Sequence, residues 1–162
     1  MLILSGPTAA GKNTTGMLLA RQRERCAVVD LDLVRAMIVQ PHRAPWQGDE
    51  GARQLRLGVQ QTCRLALGFA DDGWEVIILD VLSSATLALY RTHLAPIQPH
   101  VVQLLPTWEE CQRRFQARGP VLTEEEFAMV YRDQEAFTEY DLRIDNTGVR
   151  AEAVAAQLAA LL

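Results

Sequence analysis

Short apolar runs alternate along this chain with longer stretches of helical periodicity. The runs are Leu2 to Ser5, Cys26 to Asp30, Glu75 to Asp80, Val101 to Leu105 and Leu142 to Asp145, each of a length suited to a strand buried on both faces. Between them, apolar residues recur at four- and three-residue steps: Leu55, Val59, Cys63, Leu67 and Ala70, then Val154, Leu158 and Leu161 near the end. That spacing belongs to helices laid against a sheet. Leu33 to Val39 reads as a short helix with Asp32 at its N-cap, Ser83-Ser84 as a cap for the helix that follows, and Glu124-Glu125-Glu126 as the acidic first turn of a helix after Thr123. Strand, helix, strand in repetition predicts an α/β fold: a mostly parallel five-stranded sheet with helices on both faces. Ligands of such sheets bind at the carboxyl ends of the strands. Ser5-Gly6, Asp30, Asp80, Leu105 and Asp145-Asn146 therefore share one rim.

Two stretches break the pattern. Gln40 to Gly51, with Pro41, Pro45, Gly48 and Gly51, reads as a long connection over that rim, and Arg118 to Thr123, with Gly119-Pro120, as a shorter one between two helices. Long ordered loops tend to bind or to close. The chain of 162 residues, 49% of them apolar, suits a single domain spanning 1–162. A net charge of -4 and an isoelectric point near 5.4 disfavour broad attraction to nucleic acid or to an anionic membrane. Cys26, Cys63 and Cys111 are far apart and outside any Cys-x-x-Cys pair, which fits a reduced, cytoplasmic protein. The N-terminal apolar run is too short for a signal segment, and no run approaches the roughly 18 apolar residues of a spanning helix.

The most specific chemistry lies at the start. Gly6-Pro7-Thr8-Ala9-Ala10-Gly11-Lys12 follows a strand and opens a helix, so successive backbone N–H groups can curve around a phosphate, with the helix N-terminus and the Lys12 ammonium adding positive charge. The next residue is Asn13, where such loops usually carry a Ser or Thr for Mg²⁺. An amide oxygen can still serve a hard cation, or the ion can be held through water and phosphates. Thr14 is placed to reach a phosphate oxygen or simply to cap the helix start.

Other candidates lie along the same rim. Asp30 and Asp32 alternate at the end of the second run; one can order metal-bound water while the other takes a proton from an acceptor. Asp80 ends an apolar strand, where an acid beside a phosphate loop holds Mg²⁺ or its water. Arg114 and Arg118, one helical turn apart, could meet the charge that spreads over a transferring phosphoryl group, while Arg113 reads as part of a solvated face. His42, His93 and His100 lack metal-ligand spacing, and His42 reads as a contact of the long loop. Trp46 either stacks on a ligand or anchors its own loop.

These residues, in this order, resemble the small P-loop kinases, and most of all the chloramphenicol phosphotransferase-like group, with tunicamycin-resistance proteins and shikimate or gluconate kinases as wider relatives. The resemblance runs through Gly6 to Lys12, Val29-Asp30-Leu-Asp32-Leu-Val-Arg35-Ala-Met37, Glu75-Val-Ile-Ile-Leu-Asp80, Arg114-Phe-Gln-Ala-Arg118-Gly119 and Glu139-Tyr-Asp-Leu-Arg-Ile-Asp145-Asn-Thr. It implies a three-layer fold with strand order 2-3-1-4-5, ATP and Mg²⁺, and transfer of the γ-phosphoryl group to a hydroxyl of a small molecule, an antibiotic being one candidate. It further implies that Asp32, Lys12 and Arg118 are catalytic. Nucleotide would be bound by Gly6 to Thr14 with Arg114 and Asn146, the acceptor by Asp32, Arg35, Trp46, Arg53 and Asp80, and the metal by Asn13, Asp30 and Asp80. The acceptor loop would span about 40–56 and a lid about 114–132, in a monomer or homodimer. Adenylate kinases also lack the hydroxyl at the position of Asn13 and follow it with Thr, as Thr14 does here. Two other readings stay open. A nucleoside or nucleotide kinase would use Arg43, Arg53 and Arg56 for a monophosphate, and a catalytically reduced nucleotide-binding protein would be consistent with Asn13.

Overall fold

The computed structural model describes residues 1–119 and 121–161. Pro120 of the Gly119-Pro120 turn and the side chain of Leu161 lie outside the described residues. Strands β1 (Leu2–Ser5), β2 (Cys26–Asp30), β3 (Glu75–Leu79), β4 (His100–Leu104) and β5 (Leu142–Ile144) form one sheet in the order β2-β3-β1-β4-β5. Every pairing is parallel, and the register sets Leu4 beside both Leu79 and Val102, and Asp30 beside Leu79. The loops that leave β1, β2 and β3 are therefore neighbours at one edge of the sheet. Asp80, Leu105 and Asp145 each fall one residue past their strands, in those loops.

Successive strand residues point to opposite faces, and two cores result. One gathers Ile3, Val29, Val76, Ile78 and Val101 under α3 (Gly48–Asp71) and α4 (Ser84–His93), which contribute Val59, Cys63, Ala66, Leu87 and Tyr90. The other gathers Leu2, Leu4, Ile77, Leu79, Val102 and Leu104 under α1 (Lys12–Ala20) and α7 (Ala151–Leu158), with Leu19, Val154, Ala155 and Leu158. A third cluster joins α5 (Trp108–Ala117) to α6 (Glu124–Ala136): the Phe115 and Phe127 rings stack at 4.3 Å, Trp108 lies 5.1 Å from Tyr131, and Cys111 is buried among them. The α5–α6 region is thus a packed helix pair with its own apolar core.

Capping at Ser83 and Thr123 follows expectation, each closing a reciprocal capping box with Thr86 and Glu126. Two other boundaries differ. The long loop ends at Gln47, because α3 begins at Gly48 with Asp49 and Glu50 in the first turn, where the helix dipole favours acids. The second helix, α2, runs Leu31–Ala36 and is capped by Asp30, not Asp32: Asp30 Oδ1 accepts the Asp32 N–H at 2.9 Å. Asp32 instead lies in the first helical turn, with its carboxylate free.

Candidate active site

The phosphate loop is held open by backbone geometry. Gly6 has φ 144, and a Cβ there would lie 2.2 Å from the Leu104 carbonyl oxygen, so the loop's first turn has room only for glycine. Gly11, with φ 99, caps α1, and Ala9 holds a left-handed φ of 67 while packing against the aromatic cluster of α5 and α6. The Ala10 carbonyl accepts from Asn146 Nδ2 at 2.8 Å and from Arg114 Nη1 at 3.2 Å. Cys111 Sγ donates to the Thr8 carbonyl at 3.1 Å; burial pushes this thiol up to about 11, so it stays protonated. Helix α5 and the last loop together brace the cradle from outside.

Above it opens a cleft of about 910 Å³. Thr8, Ala9, Gly11, Lys12, Asn13 and Thr14 form its floor, whereas Gly6, Pro7 and Ala10 lie behind as the loop's scaffold. Lys12 is 9% exposed and curls back, its Nζ donating to the Gly6 and Pro7 carbonyls at 2.8 and 3.0 Å. Burial lowers its pKa, and the carboxylates that oppose this are, in order, Asp32, Asp80 and Asp30. Three acids thus surround one ammonium group.

Each acid is held differently. Asp32 is exposed to the cleft, and among the described residues no hydrogen bond or ion pair occupies its carboxylate. Asp80 is 6% exposed; its Oδ1 accepts the Val81 N–H at 2.6 Å, and its Oδ2 has no partner in good hydrogen-bond geometry, although the buried Tyr90 hydroxyl lies beside the carboxylate. Burial pushes its pKa up to about 7 against the pull of that N–H. Asp30 has both oxygens engaged, one capping α2 and the other accepting from Asn13 Nδ2 at 2.5 Å. Asp30, expected to hold the metal or its water, here clamps α1 to α2. Among the described residues no three His, Cys, Asp or Glu side chains converge as a metal centre. The donor set fits an ion carried largely by phosphates and water.

The arginines divide by role. Arg114 Nε pairs with Glu110 at 2.8 Å and Nη2 donates to the Asn146 carbonyl at 2.9 Å, so three of its nitrogens, counting the Ala10 contact, build the loop's wall. Arg113 and Arg114 hold the Glu110 carboxyl down at about 2. Arg118, at the end of α5, lines the cleft with no partner among the described residues. Arg35 is buried, donates to the Arg43 carbonyl at 2.7 Å and packs its stem over Gly58 of α3. Arg53 does not reach the cleft: it sits on the outer side of α3, 74% exposed and paired with Glu50 at 3.3 Å. Arg43 and Arg56 are absent from the lining as well.

Away from the phosphate loop the lining mixes apolar side chains with the acids Glu126 and Asp133. Trp46, Leu55, Val121, Leu122, Met129 and Val130 face the cleft, and Trp46 Nε1 donates to Glu126 Oε1 at 2.9 Å, joining the long loop to α6. His42 lines the cleft too. A smaller pocket of about 370 Å³ opens beside the phosphate loop between Thr14, Arg114, Asn146, Gly148 and Val149, three of which are among the expected nucleotide contacts. Sequence reasoning missed Gln134, a buried amide on α6 that lines the main cleft. Its only local signal is a polar residue on the apolar stripe of Phe127, Val130 and Tyr131.

The fold is shared with solved structures. The tunicamycin resistance protein of Deinococcus radiodurans superposes with a TM-score of 0.74 over 99% of this chain and 93% of its own, at 15% identity. The APS kinase of Mycobacterium tuberculosis, in complex with AMPPNP and APS, gives 0.73 over 99% and 95% at 18% identity. The fold is that of the small P-loop kinases. The shikimate kinase of Acinetobacter baumannii, in complex with shikimate, matches at 0.67 over 99% and 90%, with 22% identity. No family model and no curated protein sequence matches the chain. No helix among the described residues is long and apolar enough to cross a membrane.

Proposed function

We propose that the protein is an ATP-dependent kinase that moves the γ-phosphoryl group to a hydroxyl of a small molecule carrying no phosphate of its own. The observation that carries this reading is the single cleft in which a phosphate loop, a free Asp32 and a free Arg118 meet a wall of apolar side chains and carboxylates. Hydroxyl-bearing antibiotics fall within that acceptor class. The chemistry follows from the side chains. Lys12 turns from the loop carbonyls to the β- and γ-phosphates, and the loop N–H groups hold the same oxygens. Asp32 accepts the hydroxyl proton as the new O–P bond forms and the bond to ADP breaks. Arg118 meets the charge on the equatorial oxygens. Asp80, through its Oδ2, and the Asn13 amide oxygen would hold Mg²⁺ or its water, which when bound neutralises charge on the β- and γ-oxygens.

The rival nucleotide-kinase reading has less support, because Arg43, Arg53 and Arg56 do not line the cleft. Coupled ADP release should be measured across neutral hydroxyl antibiotics, sugars and nucleoside monophosphates. Transfer to a neutral acceptor is expected, and Asp32→Asn should keep ATP binding while turnover falls by about 10² or more. Full transfer by Asp32→Asn would remove Asp32 from the role. Tight ATP binding with no acceptor in the whole panel would favour a non-catalytic nucleotide-binding protein.

A further inference from the structure

A chain of buried polar side chains runs beneath the cleft, and its hydrogens can be placed from one end. Arg143 Nε donates to Gln103 Oε1 at 2.7 Å. A guanidinium only donates, so the Gln103 amide must aim its Nε2 the other way, at the Gln134 carbonyl (2.7 Å) and at Gln134 Oε1 (3.3 Å). Gln134 Oε1 also accepts from Ser5 Oγ at 3.2 Å, which leaves Gln134 Nε2 to donate to the Leu82 carbonyl at 2.6 Å. Ser5 Oγ, having donated its hydrogen, accepts the Leu82 N–H at 3.0 Å. Ser5, Gln103 and Gln134 are all at most 1% exposed.

The ends of this chain matter more than its middle. Ser5 closes β1 and leads into the phosphate loop, and Leu82 stands two residues beyond Asp80. Gln134 sits in the last turns of α6, which is welded to α5 by the stacked aromatic cluster. An apolar side chain would suit the stripe of Phe127, Val130 and Tyr131 without the cost of burying an amide. The amide is instead satisfied by Ser5 and Leu82, beside the phosphate loop and Asp80, and by Gln103 of β4. We propose that Gln134 is a positioning residue: it holds the loop bearing Asp80 against the mouth of the phosphate loop and ties both to the α5–α6 pair. Its catalytic consequence rests on the kinase reading; the mechanical one does not.

Gln134→Met keeps the length of the side chain and removes both hydrogen-bonding groups. In the free protein, amide exchange at Leu82 should quicken by about tenfold or more relative to Val102 in β4, a reference for global opening. With an acceptor and ATP, kcat should fall about tenfold while the KM for ATP stays within about twofold. Gln134→Glu, which keeps acceptor oxygens but loses the donor to Leu82, should not restore it. Ser5→Ala should lower kcat, and adding it to Gln134→Met should cost little more, since both act through Leu82. Leu82 exchange that rises only in step with Val102 overturns the proposal. So does a lowered melting temperature with kcat unchanged. If the native chain transfers no phosphoryl group, the kinase reading falls and the exchange result alone decides Gln134.

Discussion

Asp80 combines burial, an oxygen without a well-formed hydrogen bond and proximity to Lys12, and its protonation should be visible in stability. Its pKa is about 7 in the folded chain against 3.8 for an ordinary Asp, and burial is the main cause. The folded state therefore binds a proton more tightly than the unfolded one. The contribution of Asp80 to stability should be greatest below about pH 4, decline as pH rises toward 7, and level off above, a loss on the order of 4 kcal/mol if burial is unrelieved. In metal-free buffer at pH 8, Asp80→Asn should be more stable than the native chain, and the slope between pH 4 and 7 should shrink. Chemical denaturation at several pH values checks both. An unchanged slope would mean that Asp80 is ionised throughout. The strained carboxylate is expected only if its charge is used, so the same variant should lose Mg²⁺-dependent turnover. Asp80 was legible because an apolar strand ending in Asp beside a phosphate loop has few other uses. The spacing alone did not separate Asp30 from Asp32, since either can cap a helix; the resemblance put Asp32 at the catalytic position, and the cap expected at Asp32 falls on Asp30. The choice is made by Asn13, seventeen residues away, which binds the nearer carboxylate and leaves the other free.

At the scale of elements, α5 and α6 divide two arginines that the sequence presents as a pair. Arg114 is fixed against the Ala10 and Asn146 carbonyls and joins α5 to the cradle, while Arg118 ends its helix without a partner. Arg114→Ala should cost about 1–3 kcal/mol of stability and raise the KM for ATP, because it frees the Asn146 carbonyl and removes one of the two donors to the Ala10 carbonyl. Arg118→Ala should alter stability by less than about 0.5 kcal/mol and lower kcat about tenfold or more. Thermal unfolding and steady-state kinetics on both variants separate the roles; normal turnover in Arg118→Ala would remove its guanidinium from the transferring group. The sequence could pair these residues by spacing but could not distinguish them, because the distinguishing partners come from the first and last loops. Helix α3 shows the same limit. Its periodicity identified the buried stripe through Val59 and Cys63, but not that the helix starts at Gly48, which turns Arg53 outward to Glu50.

Across the whole molecule, charge is distributed unevenly within one cleft. Lys12, Arg114 and Arg118 gather at the phosphate-loop end, whereas the rest of the lining presents Trp46, Leu55, Met129 and Val130 beside the carboxylates of Glu126 and Asp133, and its one cation among the described residues, Arg35, is bound to a loop carbonyl. Ionic screening weakens charged contacts between exposed groups but leaves apolar burial intact, the screening length shrinking from about 10 Å at 0.1 M salt to about 3 Å at 1 M. Raising salt from low to high ionic strength should therefore increase the KM for ATP several-fold and change the KM for the acceptor by less than about twofold. An acceptor bearing a phosphate or carboxylate would behave otherwise, its KM rising in parallel with that of ATP. Measuring both constants over a salt series, using a non-chaotropic salt, thus reports the charge class of the acceptor before its structure is known. Parallel increases would overturn the neutral-acceptor reading in favour of an anionic acceptor, a nucleotide or a carboxylate.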